Sequence, residues 1–240
     1  MIHAEQRGAV ALVTIDRPER RNAVDHEALE GLQRAVAGAA GTRVLVLTGA
    51  AGHFCAGADL TGVEDASFAA TLRGVLQALH DAPFPVIAAV EGAALGAGTQ
   101  LAIACDLRVA APGARFGIPA AKLGLMVDHW TVQRLALLAG HGPARAMLLA
   151  ADVLDGESAV RLGLAQRLGD LDVALAWAEE IAALAPLTIR GHKLMLNRIE
   201  TALGDDPVIG EAFAQAWASA DLREGIAAFH DRRPPAFRGE

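Results

Sequence analysis

A short glycine-rich stretch, Gly96-Ala97-Gly98-Thr99-Gln100, is the part of this chain best suited to bind an anion. Glycines let the backbone turn sharply into a helix, and the free N–H groups of the first helical turn favour negative charge. A catalytic carboxylate would suit the position one turn along, yet the residue there is Gln100. A glutamine amide has no proton to exchange near neutral pH, so the turn is predicted to bind without supplying an acid or base.

A second loop of small residues, Phe54-Cys55-Ala56-Gly57-Ala58-Asp59-Leu60, lies earlier in the chain. Each of the two loops follows an apolar run that reads as a buried parallel strand, residues 44–48 and 85–90. Two backbone N–H groups that converge on one carbonyl oxygen form an oxyanion hole. Taken singly, each loop is better explained as a tight turn that packs an alanine-rich helix against a sheet.

The elements around these loops alternate between strands and helices. Residues 10–15 and 107–110 read as strands, residues 68–79 as a helix, and Asp25 as the N-cap of another helix. From about Thr131 onward the pattern is helical to the end. We therefore predict an α/β core domain over residues 1–185 and a helical C-terminal region over residues 186–240.

Composition excludes several classes of protein. The chain has 240 residues, 53% of them apolar, and a net charge of −7, which argues against a nucleic-acid partner. The two cysteines form no disulfide or zinc framework, and no metal-ligand spacing occurs. We find neither a signal peptide nor an apolar run long enough to span a bilayer, so a cytoplasmic location is expected.

Together and in this order, the two loops resemble the crotonase superfamily, which comprises enoyl-CoA hydratases and isomerases. The resemblance covers nearly the whole chain. The motifs that extend it are residues 17–23 (RPERRNA), 105–110 (CDLRVA), 116–119 (FGIP), 123–135, 224–229 (EGIAAF) and 232–237 (RRPPAF).

The resemblance implies an α/β crotonase fold, a spiral of ββα units, with C-terminal helices that assemble trimers or hexamers. It also implies a coenzyme A thioester as ligand and no other cofactor. By the same comparison, the N–H groups of Ala58 and Ala97 form the oxyanion hole. Ala97 often corresponds to a glycine in the family, but alanine still donates its N–H if its φ stays negative.

The resemblance also assigns residues to the coenzyme. Backbone around Ala56, Ala58 and Leu60 would meet the adenine, with Asp59 beside it, although Asp59 is also explained as ordering its own loop. Arg20 would lie near the phosphates, and Arg232 or Arg233 would reach them from a neighbouring subunit. A solvated basic face explains these arginines equally well.

The chain departs from the family at its two catalytic positions. Hydratases of the family use two glutamates to activate water, and these correspond to Gln100 and Ala120. Losing one general acid–base group typically costs about 10²–10⁴-fold in rate. The chain is similar in this respect to actinobacterial paralogues of enoyl-CoA hydratase that also lack the acidic pair.

Asp128 is the one possible substitute for the missing acids. Some superfamily branches, the aryl-CoA dehalogenases, place a nucleophilic aspartate at this point, but their activating histidine has no counterpart except His80, predicted to lie on a helix. Asp128 is also explained as a helix N-cap or as a polar pocket contact. Trp130 would pack or line the acyl tunnel.

Three functions remain open. The chain is an acyl-CoA-binding protein for fatty acyl esters in lipid metabolism, with little or no hydratase activity. Alternatively, it is an active hydratase, isomerase or acyl-CoA hydrolase with relocated groups such as Asp128. Thirdly, it is an interaction subunit that binds protein partners in a lipid-synthesising assembly.

Overall fold

A computed structural model describes residues 1–39, 41–59, 66–200, 207, 211, 214 and 217–236. Its larger sheet has six strands in the order β1-β2-β3-β4-β6-β9, with β1 antiparallel to β2 and the other pairs parallel. These strands are β1 (Ile2–Arg7), β2 (Val10–Ile15), β3 (Val44–Gly49), β4 (Val86–Val90), β6 (Leu107–Ala110) and β9 (Arg167–Leu168).

A second sheet has three strands in the order β5-β7-β8. They are β5 (Ala93–Leu95), β7 (Arg115–Gly117) and β8 (Val153–Asp155). Single parallel bridges, Cys55 to Ala94 and Val24 to Ala58, extend this sheet beyond β5. The described helices are α1 (His26–Gly38), α2 (Ala66–Asp81), α3 (Ala97–Ala104), α4 (His129–Ala139), α5 (His141–Leu149), α6 (Gly156–Arg161), α7 (Leu171–Ala182), α8 (Pro186–Glu200) and α9 (Ala220–His230).

The chain repeats one unit four times. In each repeat a strand of the large sheet is followed by a short extended segment in the small sheet and then by a helix. The four large-sheet strands are β2, β3, β4 and β6, and the helices that follow them are α1, α2, α3 and α4. This is the ββα repetition that the resemblance implies, and it brings the loops after β3 and β4 next to each other.

Both faces of the central strands of the large sheet are buried, which explains their continuous apolar runs. Leu45, Leu47 and Ala88 face the main core with α1, α2 and α3. Val44, Val46 and Ile87 face the other way, onto Ala174 and Ala178 of α7. Parallel strands buried on both faces position the loops at their ends rigidly.

Most of the predicted elements are confirmed, and Asp25 caps α1 by accepting a hydrogen bond from Ala28 N. The prediction of helix alone after Thr131 is wrong, because β8 and β9 interrupt it. With three and two residues, these strands are too short to show a period-two pattern. The boundary at residue 185 falls between α7 and α8 and stays a prediction.

Among the described residues, no helix combines the length and the apolar composition needed to cross a membrane.

Candidate functional site

The loops after β3 and β4 are joined by backbone hydrogen bonds. Cys55 N donates to Ala93 O at 2.8 Å, and Leu95 N donates to Cys55 O at 3.0 Å. Gly98, one turn further, lies so close that a Cβ built on it would be 2.0 Å from Cys55 O. The small residues of the two loops therefore permit a close approach that larger side chains would prevent.

The turn into α3 leaves donors available at the helix start. Gly96 has φ 53° and ψ −117°, a conformation that residues with a Cβ avoid, and no side chain caps the helix. Ala97 is the first helical residue, so its N–H has no intrahelical acceptor. The φ of Ala97 is not positive, and this is the condition predicted for its N–H to serve as a donor.

The N–H of Ala58 points toward the same region. Val24 N donates to Gly57 O at 2.9 Å, and Asp59 N donates to Val24 O at 2.8 Å. The parallel bridge between Val24 and Ala58 therefore uses the carbonyl before Ala58 and the N–H after it. In a parallel bridge of this kind, the central residue directs its own N–H to the opposite side. For Ala58, the opposite side is that of β5 and the start of α3.

The residues that precede the two donors are in contact. A Cβ built on Gly96 would lie 3.9 Å from the Cα of Gly57, and one built on Gly57 would lie 3.2 Å from Leu95 O. Ala58 and Ala97 follow these glycines directly. The segments that carry Ala58 and Ala97 therefore lie next to each other.

Gln100 is held by a chain of hydrogen bonds. Its Nε2 lies 2.9 Å from Oγ1 of Thr131 on α4, and that hydroxyl lies 3.0 Å from Oδ2 of Asp128. Gln100 and Thr131 are both buried. The chain joins α3 to the start of α4 and keeps the Gln100 side chain from moving freely.

The second departure from the family pattern, Ala120, lies in a short 3-10 helix, Pro119–Leu123. It is half-buried and packs against the main core. A methyl group has no proton to exchange, so neither position supplies an acid or a base.

Asp128 is the N-cap of α4, as one interpretation of the sequence predicts. Its Oδ1 accepts a hydrogen bond from Thr131 N at 2.9 Å, in addition to the contact of Oδ2 with the Thr131 hydroxyl. Trp130 is half-buried against the core and meets His80 of α2 edge to face, with ring centroids 5.5 Å apart. His80 therefore lies on a helix, as predicted, and packs against Trp130.

Arginines hold the loop beyond Ala58. Arg17 Nη2 lies 2.6 Å from Asp25 Oδ2 and 3.3 Å from Asp59 Oδ2, and Arg20 Nε lies 3.9 Å from the same Asp59 oxygen. Ala56 N donates to Arg21 O at 3.0 Å. These contacts tie the loop to the segment after β2. Leu60, predicted to meet the coenzyme, lies outside the described residues.

The two C-terminal arginines differ in their surroundings. Arg233 makes a bidentate pair with Glu224 of α9, and this hydrogen-bonded carboxylate raises the pKa of the guanidinium further. Arg232 is exposed and has a left-handed backbone, with φ 54°. The guanidinium of Arg233 is therefore already paired with the carboxylate of Glu224.

Comparison with known proteins identifies the family. The enoyl-CoA hydratase/isomerase family matches residues 5–240. The chain belongs to the enoyl-CoA hydratase/isomerase family. A probable enoyl-CoA hydratase, echA6, of Mycobacterium bovis is 48% identical over 248 residues, which cover 100% of both chains. The mitochondrial methylglutaconyl-CoA hydratase of Mus musculus is 34% identical over 100% of this chain and 82% of its own length.

Solved structures confirm the predicted crotonase fold. An enoyl-CoA hydratase/isomerase family protein of Hyphomonas neptunium matches with a TM-score of 0.79 and 33% identity, covering 100% of this chain and 98% of the other. A methylmalonyl-CoA decarboxylase matches with a TM-score of 0.92 at 23% identity over 100% of this chain and 98% of the other. The second match supports the fold alone.

Two arginines at the C-terminal end of α3 were not predicted from the sequence. Arg108, fully buried on β6, donates to the carbonyls of Ala102, Cys105, Asp106 and Leu164. Arg134 donates to the carbonyls of Ile103 and Cys105. A charged residue in an otherwise apolar strand must be paired, and Arg108 in the run 107–110 carried that signal.

The sequence analysis also missed Thr131, because a threonine near a helix start has no distinctive spacing. Cys55, by contrast, is buried as expected, and burial raises the pKa of its thiol to about 12, which makes it a poor nucleophile. No group of side chains among the described ranges could hold a metal ion.

A groove of about 700 Å³ lies elsewhere, between β1 and α1. Its lining includes Arg17 and Asp25, which pair with each other, but neither Ala58 nor Ala97. The groove is therefore separate from the two loops.

Proposed function

We propose that the chain binds acyl-CoA thioesters, with the thioester oxygen held between the N–H groups of Ala58 and Ala97. The observation that supports the proposal is the close approach of Gly57 and Gly96, the residues that precede Ala58 and Ala97. The positive end of the α3 dipole adds to the attraction for a polarised oxygen. Membership of a family whose relatives act on CoA thioesters supports the same ligand class.

The same proposal includes little or no hydratase activity. Addition of water to a 2-enoyl thioester needs a group that removes a proton from water and one that delivers a proton to carbon. Gln100 and Ala120 can do neither, and the Gln100 amide nitrogen is already committed to Thr131. We therefore propose that the chain binds fatty acyl thioesters in lipid metabolism without turning them over.

At the coenzyme end, we infer that the backbone around Ala56 and Ala58 meets the adenine, with Asp59 beside it, and that Arg20 lies near the phosphates. Arg20 is exposed, and its ion pair among the described residues is a long contact of 3.9 Å with Asp59, so it can turn toward a phosphate. Between the C-terminal arginines, Arg232 is the better candidate, since Arg233 pairs with Glu224.

We infer a homotrimer or hexamer from the surface of the C-terminal region. Several apolar side chains of α8 are largely exposed in the single chain, which supports the assembly that the resemblance implies. They are Leu187, Leu194, Met195, Leu196 and Ile199. Light scattering would check this: a monomer at micromolar concentration would contradict it.

The decisive experiment measures binding and turnover in parallel. Calorimetric titrations would compare saturated acyl-CoA, 2-enoyl-CoA and free coenzyme A, while absorbance follows loss of the enoyl double bond. Two hydrogen bonds to the thioester oxygen should favour acyl-CoA over free coenzyme A by roughly 5- to 150-fold, without hydration. Rapid hydration of crotonyl-CoA would refute the lack of activity, and equal affinity for free coenzyme A would refute the two-donor site.

The competing hypothesis, an enzyme that uses Asp128, predicts a different result. Asp128→Asn keeps the N-cap but removes the carboxylate, so any turnover that depends on Asp128 should disappear while binding persists. Turnover that is unchanged in this variant would remove the hypothesis. The third hypothesis, an interaction subunit, requires a specific lipid-synthesis protein that copurifies in mild salt; if none does, it fails.

A further inference from the structure

The contacts around Gln100 fix the orientation of its amide as well as its position. The Thr131 hydroxyl has one hydrogen, and Asp128 Oδ2, which can only accept, lies 3.0 Å away. The hydroxyl therefore has only lone pairs left for Gln100. The atom of Gln100 that faces it at 2.9 Å must be the donor, Nε2, which removes the usual ambiguity between the two ends of the amide.

The other end of the amide, Oε1, then faces accessible space. No residue of the described ranges donates a hydrogen bond to Oε1. Because Oε1 is also not among the fully buried side-chain atoms without a partner, it must be partly accessible. The small exposed fraction of Gln100, 6%, is consistent with one open atom. Gln100 lies three residues after Ala97 on α3, so the two residues share a helix face.

We propose that Thr131, fixed by Asp128, is a positioning residue that turns the carbonyl oxygen of Gln100 toward the ligand and thereby determines specificity. The inference rests on the proposed function. A ligand that offers a hydrogen-bond donor close to its thioester satisfies Oε1, whereas a plain alkyl chain removes water from it without replacement. The favoured class is therefore acyl thioesters with a hydroxyl on the first few carbons.

Thr131 is the residue to change in testing this, because its hydroxyl alone connects Asp128 to Gln100. Thr131→Val has the same shape without the hydroxyl and keeps the backbone N–H that Asp128 caps. Thr131→Ser keeps the hydroxyl and is the matched control. The ligands are butyryl-CoA and 3-hydroxybutyryl-CoA, which differ by one hydroxyl, measured by calorimetric titration.

The native chain and Thr131→Ser should bind the hydroxylated thioester more tightly by about 3- to 10-fold. In Thr131→Val, the ratio of the two affinities should fall but stay above one, because the ligand hydroxyl can also accept from Nε2 and an amide without a fixed partner must first be ordered. A native chain without preference, or a preference of undiminished size in Thr131→Val, would overturn the specificity role.

A second measurement needs no ligand and so separates this inference from the proposed function. In protein labelled with 15N at glutamine side chains, the Gln100 amide hydrogens, assigned by their absence from Gln100→Ala, should exchange slowly with water. The exchange should accelerate about tenfold in Thr131→Val and stay near the native rate in Thr131→Ser. If no thioester binds at all, the proposed function fails, while unchanged exchange in Thr131→Val refutes the positioning role itself.

Discussion

The two ends of α3 differ in whether side chains of the protein bind their free backbone groups. At its C-terminal end, buried Arg108 and Arg134 donate to the carbonyls of Ala102, Ile103 and Cys105. At its N-terminal end no side chain caps the helix, and the backbone donor of Ala97 is left for another partner. Cations at the C-terminus and open N–H groups at the N-terminus both follow the direction of the helix dipole.

The two ends of α3 are therefore expected to contribute to different properties, the C-terminal end to stability and the N-terminal end to binding. The carbonyls of Ala102, Ile103 and Cys105 accept hydrogen bonds within the chain, so loss of their donors should lower the free energy of unfolding. In the proposed function the N–H groups at the N-terminal end bind a ligand, so their loss should weaken binding. The contrast predicts distinct outcomes for substitutions only a few residues apart.

The largest effect is expected for Arg108→Met. Removing a fully buried guanidinium leaves the carbonyls of Ala102 and Leu164 without its hydrogen bonds, which should lower the free energy of unfolding by about 3–5 kcal/mol. Denaturant titration measures this. The control is Arg34→Met, whose side chain is 70% exposed and should change stability by less than about 0.5 kcal/mol. Similar losses in both variants would contradict the role given to Arg108.

Gly98→Ala should damage both properties, because Gly98 lies where the two loops touch. The new Cβ would stand 2.0 Å from Cys55 O, so the loops must separate, at a cost of about 1–3 kcal/mol. Affinity for acyl-CoA should fall with stability. Gly113→Ala is the matched control, since no heavy atom lies within 4 Å of its added Cβ. A stable Gly98→Ala variant with native affinity would show that the loops are not tightly coupled.

Ala97→Pro should weaken binding with little change in stability. Proline is well tolerated at the first helical position and removes only the N–H. Acyl-CoA affinity should drop about 3- to 10-fold, while affinity for free coenzyme A stays the same. Ala97→Gly keeps the donor and serves as the control. If Ala97→Pro binds acyl-CoA as tightly as the native chain, Ala97 N–H is not a ligand donor.

The smallest effect concerns the cap of α4. Asp128→Ala should lower the free energy of unfolding by about 1 kcal/mol, whereas Asp128→Asn should be nearly neutral, since asparagine caps as well as aspartate. Thermal and denaturant unfolding of the two variants would give the comparison. Equal destabilisation by both would indicate that the negative charge, rather than the cap geometry, is what α4 requires.

The sequence predicted one end of α3 far better than the other. The glycines before Ala58 and Ala97 are visible as residue types, and the strands before them are long apolar runs, so the loops could be located from the sequence. The arginines at the other end reach α3 from β6 and α4, by contacts that depend on the packing of three elements. No local pattern encodes such contacts.

The same limit applies to the candidate site. Asp128 was recognised as a cap because capping is a local rule. The Thr131 hydroxyl that Asp128 holds also accepts a hydrogen bond from Gln100 on another helix, and these two residues are 31 positions apart. The short strands β5, β7 and β8 were missed because three residues carry no period, even though β5 and its bridge to Cys55 hold the two loops together.

The pair of alanines at the centre of the site has a consequence for how such proteins diverge. In the proposed site their contribution comes from the main chain, so it places almost no demand on the side chain at either position and would pass unnoticed in an alanine scan. Substitutions around it can remove the chemistry while the recognition persists. A lineage could thus turn an enzyme into a receptor for the same class of molecule by changing two side chains and leaving the backbone as it was.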